Sequence, residues 1–380
     1  MTIAPLDVPD DLKAIDDAYR AAGHDQWLVG GYVRDHVMGV KAKDLDLATT
    51  ATPDQQVAIC EAAGFRWFGT GMKHGTLTVL AGGEPREITT LRTDVACDGR
   101  HAEVAWSRDI VHDLARRDLT VNAIAMTISG DVVDPFDGVR DCLERRIRFV
   151  GDAATRIRED HLRIMRWFRF LGRFGEGVDF APSDLDAIRA GASQLAAISV
   201  ERIWSEMSRI ITGPQTYGVV QHMGQFEVLD AIGVPQGDLD RLSAASRNSS
   251  DPALIMAAWQ GAEAPAILER WKASRAEIDE ATYAATRMGM RYELEMARTD
   301  LVDGADRASI LSILRTMDKG HLARHLEDWE IPSMPVQGRD LIAAGMKPGV
   351  DVGRRLAAMR TAWIESDFTL TGEELIGRVA

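Results

Sequence analysis

Two acidic residues separated by one, Asp44 and Asp46, stand a short way downstream of the run Leu28-Val29-Gly30-Gly31-Tyr32-Val33-Arg34-Asp35. In a strand, side chains two apart face the same side. Asp44 and Asp46 would therefore present two hard oxygen ligands on one face, a natural seat for Mg²⁺ that also takes triphosphate oxygens. The upstream run reads as a strand passing through a glycine turn into a helix. Gly30 and Gly31 let backbone N–H groups approach a phosphate with no side chain in the way, and Arg34, about a turn into the helix, adds a charged fork. Singly, each feature is what an ordinary turn or a solvated strand shows. Together, at this spacing, they read as a site for a nucleoside triphosphate.

A second constellation lies further on. Asp160 and Arg163 are three apart, which predicts a shared face of one helix spanning Asp160–Arg173, where Leu162, Met165, Phe168 and Leu171 recur at helical spacing. A carboxylate accepts from an exocyclic amino group, and a guanidinium donates to a ring acceptor of cytosine or adenine. C and A both offer that amino group, whereas G and U turn a carbonyl oxygen toward the carboxylate. Such a pair would accept CTP and ATP and reject GTP and UTP with no template. Arg166 and Arg169 continue the face at steps of three and could hold triphosphate. The competing account is a salt-bridge ladder of Asp160 and Glu159 with Arg163, worth tenths of a kcal/mol. Taken alone, the helix favours the ladder; the motifs upstream of it reverse that preference.

The elements that would carry these residues alternate in the first 150 positions. Trp27–Val29 reads as a buried strand, and Asp44–Ala48 alternates acidic and apolar residues. Thr52-Pro53-Asp54-Gln55 has the form of an N-cap, a first-turn proline and a capping-box glutamine, which predicts a helix to about Ala63. Phe65–Phe68, Gly75–Leu80 and Arg86–Leu91 read as further strands. From Gly151 the strand-like runs stop, and helices are predicted over Ser183–Gly191, Val200–Ile211, Pro252–Trp271, Ser274–Met288 and Arg307–Trp329. Pro332–Pro335 reads as a linker. The Trp residues at 259, 271, 329 and 363 fall at helical spacings and read as core. The expected class is α+β: a mixed-sheet head over residues 1–150, a helical neck over 151–212, a helical body over 213–331 and a helical tail over 332–380.

Composition bounds the partners. The chain has 380 residues, 46% of them hydrophobic, and a net charge of −14. No window approaches the ~20 apolar residues of a membrane span, and Met1–Asp10 lacks the basic start of a secretory signal. Cys60, Cys97 and Cys142 are scattered, in no zinc spacing, which fits reduced thiols in a cytoplasmic protein. The nine histidines have no metal spacing either. Overall acidity is unusual for a nucleic-acid binder. Between Arg100 and Arg173, however, fourteen arginines face twelve carboxylates with no lysine, an excess suited to bidentate phosphate contacts and also to an ordinary salt-bridged surface.

Residues 28–49 resemble the signature of the class II nucleotidyltransferases, the superfamily of CCA-adding enzymes and bacterial poly(A) polymerases. The likeness continues in order. Gly71-Met72-Lys73-His74-Gly75-Thr76 is similar to the family's loop-to-strand segment, and Arg86–Asp94 with Asp98-Gly99-Arg100 to its flexible-loop region. Arg116-Arg117-Asp118-Leu119-Thr120-Val121-Asn122-Ala123 resembles its ribose-recognition motif, Asp134-Pro135-Phe136-Asp137-Gly138 its hinge, and Glu159-Asp160-His161-Leu162-Arg163 its base-reading motif. The resemblance implies a polymerase-β-like head and Mg²⁺ on Asp44 and Asp46. It also implies transfer of C, C and A to the 3′ end of tRNA from CTP and ATP. Asp118, beside Arg117, would bond the ribose 2′-OH, or cap a helix over Leu119–Met126, or both. Glu87 is a candidate third carboxylate or base near the 3′-OH, and equally a solvated edge charge.

In the tail, Gly338–Ile342 and Gly345–Arg355 resemble the tail segment of CCA-adding enzymes, with Lys347, Arg354 and Arg355 beside a glycine turn suited to RNA phosphate. A poly(A) polymerase would share every head motif. A CC-only enzyme lacks the flexible-loop segment that is intact here. A non-catalytic RNA-binding module is the reading from a different class, and intact Asp44 and Asp46 count against it. No protein partner is evident.

Overall fold

The structure, a computed structural model, describes residues 8–41, 45–97, 102–174 and 179–379. Asp44 and the Asp98-Gly99-Arg100 segment lie outside the described residues. The chain divides into two compact units, residues 1–236 and 237–380.

The first unit is built on β1 (Gln26–Val29), β2 (Asp46–Thr49), β3 (Arg66–Phe68), β4 (Thr76–Ala81), β5 (Glu84–Thr90), β6 (Arg92–Cys97), β7 (Ala102–Trp106), β8 (Ala125–Met126) and β9 (Val132–Val133). Seven strands form one mixed sheet in the order β3-β4-β5-β2-β1-β8-β9, and β6 pairs with β7 separately. Alternation fixes which face each strand buries: along β4, Leu77, Val79 and Ala81 point inward. The β4–β5 connection is Gly82-Gly83, with φ of 60° and 89°, the left-handed region that a two-residue hairpin turn demands. β2 and β5 run parallel, and their register places Asp46 opposite Glu87.

The helices of this unit are α1 (Asp10–Ala21), α2 (Gly31–Val37), α3 (Pro53–Ala63), α4 (Ile110–Ala115), α5 (Gly138–Glu144), α6 (Ala153–Glu159), α7 (Arg163–Phe174), α8 (Pro182–Gly191), α9 (Val200–Ile211), α10 (Thr216–Gln225) and α11 (Val228–Ala231). α3 starts as its sequence predicts: Gln55 N–H donates to Thr52 Oγ1, and Thr52 N–H donates to Gln55 Oε1 at 2.9 Å. A core of Val29, Ala48, Leu91, Ile110, Leu114, Ala123, Ala125 and Val150 lies against the sheet. The fully buried Gln56 is satisfied: its Nε2 donates to Thr90 Oγ1 at 2.8 Å while its Oε1 accepts from the Tyr19 hydroxyl.

The segment predicted as a hinge closes the α5 N-terminus. Asp134 accepts the Gly138 and Val139 N–H groups at 2.7 and 2.9 Å. A Cβ on Gly138 would overlap the Thr120 carbonyl oxygen and press on Ile124. Gly138→Ala is therefore expected to destabilise the fold by about 3 kcal/mol, as overpacking against backbone does. Urea unfolding checks this, and a midpoint equal to wild type would contradict it.

Several predicted elements are corrected. Leu119–Met126 is not a helix but a single 3-10 turn at Thr120–Asn122 followed by β8, and Leu119, Val121 and Ala123–Met126 are all buried. The helix predicted from Asp160 begins at Arg163. One small strand persists past residue 150: β11 (Asp179–Phe180), which pairs in parallel with β10 (Arg146–Ile147) of the head. In the second unit, Pro252–Trp271 breaks at Gly261, whose φ is 57°, and Arg307–Trp329 breaks near Asp318, with φ 59°.

The secondary-structure elements among the second unit's described residues are all helices. Trp259, Trp271 and Trp363 are fully buried there, as their spacing predicts, whereas Trp329 is only half-buried. Its last 45 or so positions gather Val336, Leu341, Val352, Met359, Trp363, Leu370 and Leu375 into a cluster. No helix among the described residues is long and apolar enough to cross a membrane.

Candidate active site

One cavity of about 600 Å³ in the first unit is lined by Gly30, Gly31, Arg34, Asp46, Glu87, Arg117, Asp118, Asp160, Arg163, Arg166 and Arg169. Apart from Asp44, these are all of the residues that the sequence assigns to catalysis and nucleotide binding. The inner strands β2 and β5 supply Asp46 and Glu87, the turn into α2 supplies the glycines and Arg34, the segment after α4 supplies Arg117 and Asp118, the end of α6 supplies Asp160, and α7 supplies a row of arginines.

At the turn, Gly30 has φ 67°, and a Cβ there would lie 3.0 Å from Arg117 Nη1. The backbone conformation thus requires glycine, and the Arg117 guanidinium lies over it. Arg34 is buried; its Nε donates to Asp35 Oδ1 at 2.9 Å and its Nη1 to Asn122 Oδ1 at 2.6 Å. The Phe170 ring of α7 carries both Arg34 and Arg169, at 5.0 and 4.8 Å from the ring centroid.

Asp118 is 6% exposed and accepts from Arg166 Nε at 2.6 Å and from Asn122 Nδ2 at 3.1 Å. Burial alone would raise its pKa, but the Arg166 charge and hydrogen bond outweigh that and hold the carboxyl below its ordinary range. Asp113 behaves likewise: burial works against the Arg117 and Arg116 guanidiniums, which win. Its carboxylate holds Arg116 at 2.6 Å and Arg117 at 3.1 Å.

Asp160 and Arg163 both line the cavity but do not share a helix. Asp160 closes α6 in an extended conformation, with φ −156° and ψ 104°, and its Oδ1 accepts the Leu162 N–H at 3.1 Å. That local bond offers the backbone an alternative to helix, so the chain turns before α7 starts. Arg163 pairs with Glu159 Oε2 at 2.6 Å and donates to the carbonyls of Arg156 and Arg116, both at 3.1 Å. The Glu159–Arg163 ladder is present, and the direct Asp160–Arg163 rung is replaced by Arg202 of α9, 2.7 Å from Asp160 Oδ2.

Residues 26–148 match the family model described as the poly A polymerase head domain, and residues 177–236 match that of a probable RNA and SrmB-binding site of polymerase A. The chain is 33% identical to the Danio rerio mitochondrial CCA tRNA nucleotidyltransferase 1, over 98% of its own length and 90% of the relative's. It belongs to the CCA tRNA nucleotidyltransferase family. A Streptococcus pyogenes CCA-adding enzyme is 32% identical over 92% of both chains. The crystal structure of the Bacillus stearothermophilus CCA-adding enzyme in complex with CTP superposes with a TM-score of 0.81 at 29% identity, covering 97% of this chain and 96% of that one.

The arginines of the cavity are backed by carboxylates that sequence spacing does not reveal. Glu206, 4% exposed on α9, sits under three arginines: Arg169 at 2.7 Å, Arg209 at 3.7 Å and Arg166 at 3.9 Å. Glu206 and Arg202 are missed in the sequence because Arg169 and Asp160 come from other elements, whereas Asp113 is missed although its partners Arg116 and Arg117 stand three and four residues on. An acidic residue at an inward position of an amphipathic helix is the one signal that Glu206 carries.

Asp184 of α8 joins neck to head. It is 5% exposed and accepts the Phe149 N–H at 3.1 Å, and Phe149 bridges Leu119 beside Asp118. Burial pushes its carboxyl up to about 6. A carboxyl raised in the fold contributes stability that is complete below the unfolded value near 4 and is lost as pH rises through about 6. Asp184→Asn is expected to remove a decline of about 3 kcal/mol between pH 4 and pH 7. Parallel urea titrations at the two pH values measure it, and an identical pH dependence in the variant would contradict the assignment.

Proposed function

We propose that the chain adds C, C and A to the 3′ end of tRNA from CTP and ATP and releases pyrophosphate. The observation that carries the reading is that carboxylates on the inner strands β2 and β5, a glycine turn under arginines and the Asp160–Arg163 pair all line one cavity. Asp46 and Glu87 are exposed on adjacent parallel strands in register, a hard-oxygen donor set that suits Mg²⁺, with Asp44 as the proposed further ligand. When bound there, the ion supplies charge to the attacking and leaving oxygens of an in-line displacement.

The chain's own residues do the rest. Gly30 and Gly31 let the triphosphate approach the backbone, and Arg34 and Arg117 add charge beside it. Asp118 accepts from the ribose 2′-OH, positioned by Arg166 and Asn122. Asp160 accepts the amino group of C or A, and Arg163, held by Glu159 and two carbonyls, donates to the ring acceptor. The terminal 3′-hydroxyl gives up its proton to Glu87 or to solvent as its oxygen attacks the α-phosphorus, the new P–O bond forms as the bond to pyrophosphate breaks, and no covalent enzyme intermediate is required.

Equilibrium binding tests the base-reading part. CTP and ATP are expected to displace one another from a single site, with UTP and GTP weaker by at least about tenfold. Simultaneous binding of CTP and ATP, or equal affinity for all four nucleotides, would overturn it.

A further inference from the structure

Helix α4 ends beside the cavity, and its last turn is held by arginines. The final carbonyls of a helix have no partner within it. Here Ala115 O accepts from Arg156 Nη1 at 2.9 Å, and Arg116 O accepts from Arg163 Nη2 at 3.1 Å. The guanidinium of Arg163 is thus hung partly on the α4 terminus. Asp113, one turn back, takes two more arginines. Its Oδ1 accepts from Arg116 Nε and Nη2 at 3.0 and 2.6 Å, and its Oδ2 from Arg117 Nη2 at 3.1 Å. Arg117 Nη1 reaches on to the Asn122 carbonyl at 3.2 Å and lies over Gly30. An exposed charge ladder at a helix end would contribute little. This one is not exposed: the Asp113 side chain is 3% exposed, and Asp113, Arg116, Arg117 and Arg163 all line the cavity.

We propose that Asp113 is a positioning residue for nucleotide selection, acting on phosphate and base together. With one carboxylate it sets Arg117 over the glycine turn, and by fixing Arg116 it sets the carbonyl from which Arg163 is hung. The inference rests on the reading of the cavity as a nucleotide site, with Arg117 beside the triphosphate and Arg163 at the base. Two opposed effects decide the sign of what its loss does. Removing a buried negative charge beside two arginines strengthens the local positive field, which favours an anion. It also releases two neighbouring side chains of like charge from one geometry, and small departures from the productive geometry are costly. The two-pronged grip on Arg116, with the second oxygen on Arg117, makes orientation the larger effect.

Equilibrium titrations of the full chain with CTP, UTP and inorganic pyrophosphate, each with Mg²⁺ present, test this. Pyrophosphate has no base, so it reports the phosphate side alone, while the ratio of CTP to UTP affinity reports Arg163. Asp113→Asn, nearly isosteric, is expected to weaken pyrophosphate and CTP about tenfold and to shrink the preference for CTP over UTP at least about threefold. Arg116→Gln leaves Asp113 on Arg117. It should keep pyrophosphate affinity while the CTP preference shrinks as it does in Asp113→Asn. Tighter pyrophosphate binding by Asp113→Asn overturns the proposal, since the carboxylate would then only dilute positive charge. Unchanged binding and selectivity in Asp113→Asn, with a lowered urea midpoint, overturns it too, leaving an ion pair that serves the fold. Should Asp113→Asn not fold, Arg116→Gln decides. Unchanged selectivity there overturns the proposal, and shrunken selectivity with pyrophosphate binding intact bears it out. Wild-type protein that binds these ligands as expected but adds no nucleotide to tRNA would sink the transfer reading and leave the role of Asp113 standing.

Discussion

Asp46→Ala is expected to lower nucleotide transfer by about 10³-fold or more while cooperative unfolding stays where it is in the wild type. The two halves of that expectation come from different observations. Asp46 is exposed at the start of β2, in register with Val29 and Glu87. Removing an exposed carboxylate at a strand end opens no cavity in the core, so the effect on stability should fall within about 0.5 kcal/mol. The effect on rate is large because charge develops on both oxygens of the displacement, and losing one preorganised stabiliser of that kind already costs 10²–10³. Transfer within tenfold of wild type, in a protein that still unfolds cooperatively, would remove Asp46 from the chemistry.

Asp160→Ala is expected to change selectivity more than any other single substitution. Its carboxylate is proposed to accept the amino group that C and A share, and to repel the carbonyl oxygen that U and G place there. A site built around such a hydrogen bond rejects a mismatched base by factors of up to ~10⁴. Without the carboxylate, rates with CTP and ATP should fall, and discrimination against UTP and GTP should shrink by at least about tenfold. Rate alone is a poor readout, because Asp160 also receives the Leu162 N–H and Arg202, and its loss can loosen the α6–α7 turn. Arg202→Ala separates the two: it perturbs the same turn but keeps the carboxylate, so it should slow transfer with selectivity largely retained. A slower Asp160→Ala enzyme with undiminished preference for C and A would place base choice elsewhere.

How much of this was legible in the sequence depends on the range of the interaction. The β1–turn–α2 unit, the Thr52 capping box and the strands β3 to β5 are written in neighbouring residues, and the structure has them within a residue or two. The break before α7 was legible in principle, since an Asp that bonds the N–H two residues on is a turn former; the apolar periodicity of Leu162 to Leu171 hid it. Leu119–Met126 failed for another reason. It is buried almost completely, so neither helical nor strand periodicity shows, and burial alone does not choose between them. The pairing of Asp46 with Glu87 across β2 and β5, and of Arg169 with Glu206 across α7 and α9, depends on register and packing between distant segments. No local pattern encodes those. The site's residues were therefore readable one at a time, and their grouping was not.

The central claim is that one cavity selects C and A by its own side chains and transfers them to tRNA in a limited number. Sizing the products of the purified chain on a denaturing gel tests it most directly, using a tRNA that ends at its discriminator base and CTP and ATP together. The account predicts extension by three nucleotides and then arrest, with CTP required before ATP is used. Long adenylate tails made without CTP would contradict it and establish a poly(A) polymerase instead.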